Sequence, residues 1–143
     1  YDDALERHQL ALLNPVIKKA KESERAYTCL KMAWICRGKA ESLSEELPNY
    51  KAQLKELKEQ EKELLENAYT GFETAFSKES FPMCGMDEIT VSYLLAELAR
   101  RIGKYEESSR WISRVLISRD ANDRIKNRAR EIKELLNKDM NKA

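Results

Sequence analysis

The sequence predicts an all-α fold built from antiparallel helix pairs. The chain has only 4 Gly and 3 Pro among 143 residues, and charged residues make up 36% of it. Few helix breakers, together with abundant Ala, Glu, Lys, Leu and Arg, are typical of helical proteins. Apolar residues also recur at helical spacing along most of the chain, which argues against disorder. A chain of this length is expected to form one domain, 1–143.

Two helices are predicted at the start of the chain. The first covers about 2–20 and is disturbed at Asn14-Pro15, because proline lacks the backbone N–H that a helix interior uses. The second covers about 23–38, where Gly38 suits a C-terminal cap, although the two residues after it could extend the helix.

A long third helix is predicted over 49–77, with a length of about 40 Å. Its first half is mostly Lys and Glu, and the pairs Lys55–Glu59 and Lys62–Glu66 have the i, i+4 spacing that supports a solvated helix. Its second half has a denser apolar face, formed by Ala68, Phe72, Ala75 and Phe76.

Three further helices are predicted after a loop at 78–88. They cover about 89–102, 105–119 and 122–140. The last of them has one continuous apolar stripe, formed by Ile125, Ala129, Ile132 and Leu136.

Residues 89–122 contain the most specific pattern in the chain. Small side chains at Ala96 and Ser108 would let two antiparallel helices approach closely, and Gly103 permits a left-handed turn between them. The same segment holds Leu95, Tyr105, Ile112 and Val115 at matching positions. It resembles one repeat of the roughly 34-residue tetratricopeptide kind. The resemblance implies antiparallel helix pairs stacked in a right-handed α-α superhelix.

A second, irregular copy of the repeat is predicted over 23–80. Its residues Leu30, Trp34 and Gly38 have the spacing of Leu95, Ala99 and Gly103, and Ala68, Phe72 and Ala75 have that of Ser108, Ile112 and Val115. A long insertion separates these two parts, which gives the copy one elongated helix. Residues 123–140 would then be a closing helix over the open end of the stack.

Two longer strings sharpen the resemblance. LKMAWICR at Leu30–Arg37 and YLLAELARRIGKYEESSRWISRVL at Tyr93–Leu116 are similar to the C-terminal half of a bacterial family known as domain of unknown function 2225. The resemblance covers roughly 20–125. Members usually carry an upstream segment with Cys-x-x-Cys pairs that looks zinc-binding, and this chain has no such pairs. Since the chain begins at Tyr1 rather than Met, we expect a fragment or a processed product.

Nothing in the sequence points to catalysis. No nucleophile motif, phosphate-binding loop or paired-glycine fingerprint occurs, so we expect neither an enzyme nor a cofactor. His8 is the only histidine and is expected to be a surface residue. Trp34 and Trp111 lie on apolar helical stripes and are predicted to be core or half-buried packing residues rather than ligand-stacking ones.

The three cysteines indicate free thiols in a reducing compartment, hence a cytoplasmic protein. Cys29 and Cys36 share one face of one helix and are predicted to be packed thiols rather than zinc ligands. Cys84 lies in a loop containing Pro and Gly, where a thiol can be exposed. No metal site is expected, and no apolar run approaches the roughly 18 residues of a membrane span.

The resemblance to tetratricopeptide repeats suggests where a partner would bind. In such arrays the first helix of each pair lines a concave groove that holds a peptide or a partner helix. The register assigns to this groove Tyr93, Glu97, Arg100 and Arg101, and, on the closing helix, Arg124, Asn127 and Glu131.

Arginine suits the recognition of carboxylates because its planar fork can bond to both oxygens. Arg100 and Arg101 lie about 100° apart around the helix. We therefore expect one to line the groove with Glu97 and the other to lie at its edge or to pair internally. A solvated or internally paired face, with Glu97 and Arg101 at i, i+4 spacing, is the alternative.

Three functions remain open at this stage. The leading hypothesis is a protein-interaction or scaffold module that binds an unidentified protein or peptide with a carboxylate-bearing end. Nucleic-acid or anion binding is the second, because residues 97–143 hold 13 Lys and Arg against 8 Asp and Glu; the overall net charge of +1 makes nucleic acid an unlikely partner. The third is architectural: the domain orients an N-terminal segment, and its long Lys/Glu helix mediates self-association into a homo-oligomer.

Overall fold

The computed structural model describes the backbone of residues 1–13 and 21–142, and the side chains of 1–9 and 21–142. Across this part of the chain it contains helices and no β-strand, as predicted. The helices are α1 (Asp2–Leu13), α2 (Glu22–Ser42), α3 (Tyr50–Lys78), α4 (Glu88–Arg101), α5 (Tyr105–Ile117) and α6 (Asp123–Lys142). The disturbance predicted at Asn14-Pro15 lies outside the described residues.

The C-terminal end of α2 differs from the cap suggested at Gly38. The helix continues to Ser42, and Leu43 closes it with a hydrogen bond from its N–H to the carbonyl of Ala40. Gly38 lies inside the helix, where a Cβ atom would come within 3.0 Å of the Tyr1 ring. A glycine here serves close packing of Tyr1, the residue before α1, and not a left-handed turn.

The chain forms two compact units, 1–71 and 72–143. In the first unit, an ion pair between Lys39 and Asp2 joins α2 to α1. The hydrogen bond from Lys39 and its charge hold the pKa of Asp2 below its usual range. A second ion pair, between Arg37 and Glu61 at 2.8 Å, joins α2 to α3.

The packing of α2 against α3 explains one glycine and one exposed tryptophan. A Cβ atom on Gly71 would lie 2.8 Å from the Cβ of Ala26, so glycine allows the helices to approach at this point. The buried face of α2 runs through Ala26, Leu30 and Ala33. Trp34 lies about 100° beyond Ala33 around the helix and is 48% exposed, so of the two predicted placements it takes the half-buried one and not the core.

The second unit begins with the end of α3 and a compact loop. The N–H groups and carbonyls of Met83 and Met86 exchange two hydrogen bonds, of 2.8 and 2.9 Å. Phe76 contacts both Phe81 and Trp111 edge to face, with ring centroids 5.4 and 4.9 Å apart. These contacts confirm that Trp111 is a packing residue.

Helices α4, α5 and α6 form the core of the second unit, and each contacts the other two. Leu95, Ala96, Ser108 and Ile112 are all buried, as predicted for a close pair of helices. On α6 the stripe predicted from the sequence supplies three buried residues, Ala129, Ile132 and Leu136, and the half-buried Ile125.

Candidate recognition surface on α4 and α6

A capping interaction fixes the start of α4. The carboxylate of Asp87 accepts a hydrogen bond of 2.7 Å from the backbone N–H of Thr90. This bond lowers the pKa of Asp87, because it favours the charged form of the carboxyl. An anionic cap also complements the positive end of the helix dipole.

The end of α4 is equally well defined. Gly103 has a φ of +84°, and its N–H bonds to the carbonyl of Arg100 at 3.2 Å. The N–H of Lys104 reaches the carbonyl of Ala99 at 2.8 Å, which completes a Schellman motif. The prediction that Gly103 provides a left-handed turn is therefore confirmed, and the turn leads directly into α5 at Tyr105.

A buried hydroxyl joins α4 to α5. The Oγ atom of Ser108 donates a hydrogen bond of 2.8 Å to the carbonyl of Ala96. The small side chains at both positions allow this close approach, and the bond satisfies a hydroxyl that has no access to water. Asn122 caps α6, since its side-chain oxygen accepts a 2.9 Å hydrogen bond from the N–H of Ile125.

Arg100 links α4 to α6 and is the more buried of the two adjacent arginines. Its NH2 and Nε atoms bond to the two carboxylate oxygens of Glu97, at 2.8 and 3.3 Å, and its NH1 atom bonds to Asp139 at 2.8 Å. The Arg100 side chain is only 12% exposed. Its burial works to lower its pKa, but the bonds to Glu97 and Asp139 outweigh that effect and raise it.

Arg101 occupies the outer edge of the same group. Its Nε atom bonds to Glu97 at 2.6 Å, and its side chain is 38% exposed, about three times as much as that of Arg100. Glu97 therefore serves two arginines, and the internally paired alternative accounts for all three residues. Their assignment to partner binding is thus weaker than the sequence suggested.

Tyr93 lies where α4 faces the middle of α6. It is half-buried and packs against the core cluster of α5 and α6. Burial raises its pKa; the charges of Glu97 and Glu131 raise it further, and that of Arg128 lowers it. The charges of Arg128 and Glu131 therefore act on Tyr93, so side chains of α4 and α6 influence one another in this region.

The remaining predicted residues lie on α6 and are exposed. Arg124 forms no ion pair with any described residue. Asn127 accepts a 2.7 Å hydrogen bond from Arg130 of the same helix. Glu131 follows Arg124 by seven residues, which places both on one side of α6.

Sequence reasoning missed three residues of this region. Arg128 and Leu135 continue the stripe of Arg124 and Glu131 at i, i+4, i+7 and i+11, so the helical period alone would have found them. Leu135 is 43% exposed. Asp139 is 39 residues from Arg100, and no local pattern indicates that the two meet. We call the outer set the α4–α6 surface; it comprises Tyr93, Arg101, Arg124, Arg128, Glu131 and Leu135.

The thiols of Cys29 and Cys36 show no sign of activation. Cys36 is buried and Cys29 is partly buried, and loss of solvation raises the pKa of both. Cys84 is partly buried in its loop. Within the described residues, His, Cys, Asp and Glu side chains nowhere gather in a group of three that could hold a metal ion. His8 is partly exposed on α1.

Among the described helices, none combines the length and the apolar character needed to cross a membrane.

Comparison with known proteins gives a family. No curated protein and no solved structure matches the chain. A family model described as "Uncharacterized protein conserved in bacteria (DUF2225)" matches residues 1–136. Because that match covers nearly the whole chain, the protein belongs to the DUF2225 family of bacterial proteins.

Proposed function

We propose that this domain is a protein-interaction module that binds a carboxylate-bearing segment of a partner on the α4–α6 surface. The observation that supports it most is the pair Arg124 and Arg128. Both are exposed on one side of α6, one turn apart, and neither forms an ion pair with any described residue. Two free guanidinium groups on one rigid helix suit a carboxylate, which they can bind through several hydrogen bonds.

The neighbours of these arginines complete a plausible recognition surface. Tyr93 provides a hydroxyl close to Arg128, and Leu135 provides an exposed apolar side chain on the same stripe of α6. Apolar contact for affinity and a few polar groups for orientation are what peptide-binding sites usually combine. The proposal involves no catalysis and no cofactor, and it assigns the protein to the bacterial cytoplasm.

The proposal includes a finer description of the fold. We infer that α4 and α5 form a tetratricopeptide-like repeat and that α6 follows it as the next helix of the stack. The Schellman turn at Gly103 and the hydrogen bond between Ser108 and Ala96 support this assignment. The irregular repeat at 23–80 has weaker support, because Trp34 is exposed whereas Ala99, its counterpart, is fully buried.

The rival functions find less support. Arg100 and Arg101 are paired with carboxylates, and Arg114 stacks over the rings of Phe76 and Trp111, so part of the basic C-terminal half is used within the fold. Self-association through α3 would depend on its exposed Lys and Glu residues. Exposed ion pairs contribute little on their own, so such an interface would be weak.

The test uses peptides with a free C-terminal carboxylate and the same peptides with an amidated end. We expect the free carboxylates to bind about tenfold more tightly, since charge-assisted hydrogen bonds contribute about 1.5–3 kcal/mol each. The double variant Arg124→Ala with Arg128→Ala should lose this preference without a change in melting temperature. The matched control, Arg119→Ala with Lys142→Ala, removes the same charge from exposed positions elsewhere and should bind normally.

Two outcomes would count against the proposal. Equal binding of free and amidated peptides would exclude carboxylate recognition. Binding of single-stranded nucleic acid that falls steeply with salt, and that the Arg124 and Arg128 variant weakens, would favour the anion-binding alternative instead.

A further inference from the structure

A groove between α5 and α6 lies outside the proposed binding surface. It has a volume of about 560 Å³ and opens to solvent. Its residues on α6 include Lys133, Leu136 and Met140, which lie at i, i+3 and i+7 and so share one face of the helix. These three residues lie about 100–160° from Leu135 around α6, so the groove and the α4–α6 surface are on different sides of the helix.

The lining of the groove is apolar at its centre. Leu136 is buried at its base, Met140 is 49% exposed, and the ring of Tyr105 contributes from α5. A helix that closes a stack is expected to present a polar outer face to solvent. Met140 instead leaves apolar surface beside the buried Leu136, on which the side chains of another helix can pack.

The charges at the rim favour one kind of occupant. Arg110 of α5 and Lys133 of α6 are exposed, and neither forms an ion pair with any described residue. Glu106 is the single carboxylate in the lining. Two unpaired cations around an apolar centre complement an apolar stripe that carries acidic residues on its flanks.

We propose that the α5–α6 groove docks an amphipathic helix of a partner protein, with Leu- or Met-like side chains over Met140 and with acidic flanks facing Arg110 and Lys133. The residues from Lys133 to Met140 span about 10 Å of helix, enough for two turns of a partner. Helix-in-groove recognition uses anchors at i, i+3 or i+4 and i+7, and a lining with this spacing fits it. This docking site is independent of carboxylate binding on the α4–α6 surface.

Two synthetic amphipathic peptides provide the probe. Both carry leucines at helical spacing, one with glutamate flanks and one with lysine flanks. Titration into the ¹⁵N-labelled domain should show the glutamate peptide binding about tenfold more tightly, with shifts concentrated at Tyr105–Arg110 and Lys133–Met140. The variant Arg110→Glu with Lys133→Glu should reverse this preference.

Control variants distinguish loss of binding in the groove from unfolding and from a general change in charge. Both reversed residues are exposed, so circular dichroism should show an unchanged melt. The variant Arg119→Glu with Lys142→Glu makes the same charge change elsewhere and should keep the original preference. Met140→Ser should weaken both peptides. The Arg124→Ala with Arg128→Ala variant should still bind the glutamate peptide, which separates this proposal from the preceding one.

Three results would overturn the inference. One is the absence of saturable binding by either peptide. Another is a set of shifts that maps to helices other than α5 and α6. The third is a concentration-dependent dimer of the free domain that the Arg110 and Lys133 reversal abolishes, because the occupant would then be a second copy of this chain.

Discussion

The guanidinium of Arg100 on α4 bonds to the carboxylate of Asp139 on α6, with 2.8 Å between NH1 and Oδ2. The same side chain holds Glu97 through its other nitrogens, so one buried cation joins two helices and two carboxylates. This contact ties the C-terminal half of α6 to the end of α4. It therefore supports both the α4–α6 surface and the α5–α6 groove.

Breaking this contact should destabilise the domain. Arg100→Ala leaves Glu97 and Asp139 without their shared partner in a partly buried position. We expect a loss of about 1–2 kcal/mol in the free energy of unfolding, between the values for exposed and for buried pairs. Urea denaturation measures it, and a double-mutant cycle with Asp139→Asn should give a coupling energy well above error.

Arg101→Ala is the matched control for that experiment. Its side chain is more exposed, and we expect a loss of no more than about 0.5 kcal/mol. If both arginine variants lower the free energy of unfolding equally, or if Arg100→Ala does not change it, Arg100 does not join α4 to α6 in the way described.

The cap at Asp87 should give a pH-dependent contribution to stability. Asp87→Ala should cost about 1 kcal/mol at neutral pH, the usual value for losing an acidic N-cap. Because the folded state lowers the pKa of Asp87, its contribution is present above the unfolded value and is lost as pH falls through the folded one.

The difference in unfolding free energy between wild type and Asp87→Ala should therefore disappear in acid, below the ordinary aspartate pKa of 3.8. Thermal melts across that range measure it. Glu134→Ala, an exposed change within α6, should show no comparable trend. If the stability difference between wild type and Asp87→Ala were the same at every pH, the charge of the carboxylate would contribute nothing to the cap.

Ser108 allows hydrogen bonding and close packing to be measured separately. Ser108→Ala keeps the small volume and removes the bond to Ala96, so we expect a cost of about 1 kcal/mol or less. Ser108→Val adds volume where α4 and α5 meet and should cost about 1–3 kcal/mol. Equal costs for the two variants would mean that the hydroxyl, which both variants remove, and not the helix spacing is the main requirement.

The pKa of Tyr93 should respond to changes in the charges around it. Its pKa is raised, first by burial and then by Glu97 and Glu131, and Arg128 opposes them. Arg128→Ala should therefore raise the pKa further, and Glu131→Gln should lower it. The absorbance of the phenolate measures this, with Tyr93→Phe subtracted to isolate one tyrosine.

The raised pKa of Tyr93 makes the stability of the fold depend on pH in one direction. Since the folded pKa lies above the unfolded one, the stabilisation is complete below the ordinary tyrosine pKa of 10.0 and is lost as pH rises through the folded pKa. Tyr93→Phe should remove this part of the alkaline destabilisation. If Arg128→Ala left the pKa of Tyr93 unchanged, the charge of Arg128 would not act on Tyr93. That result would weaken the case for the proposed surface.

Some features of this protein follow from local sequence. The scarcity of breakers and the apolar periods predicted the helices, and Gly103 with Ala96 and Ser108 predicted a close helix pair, because these signals act over a few residues. Residue contacts such as Glu97–Arg101 at i, i+4 spacing belong to the same class. They need only the geometry of one helix.

Other features were decided by tertiary packing. Trp34 lies on an apolar stripe, but α3 covers a different side of α2 and leaves Trp34 48% exposed. Gly38 stays within its helix beside Tyr1. The ion pair of Arg100 with Asp139 joins residues that are 39 positions apart in the sequence, and it depends on the angle and offset of two helices. The helical period says which residues share a face, but only packing determines which face is covered and which distant charge each arginine meets.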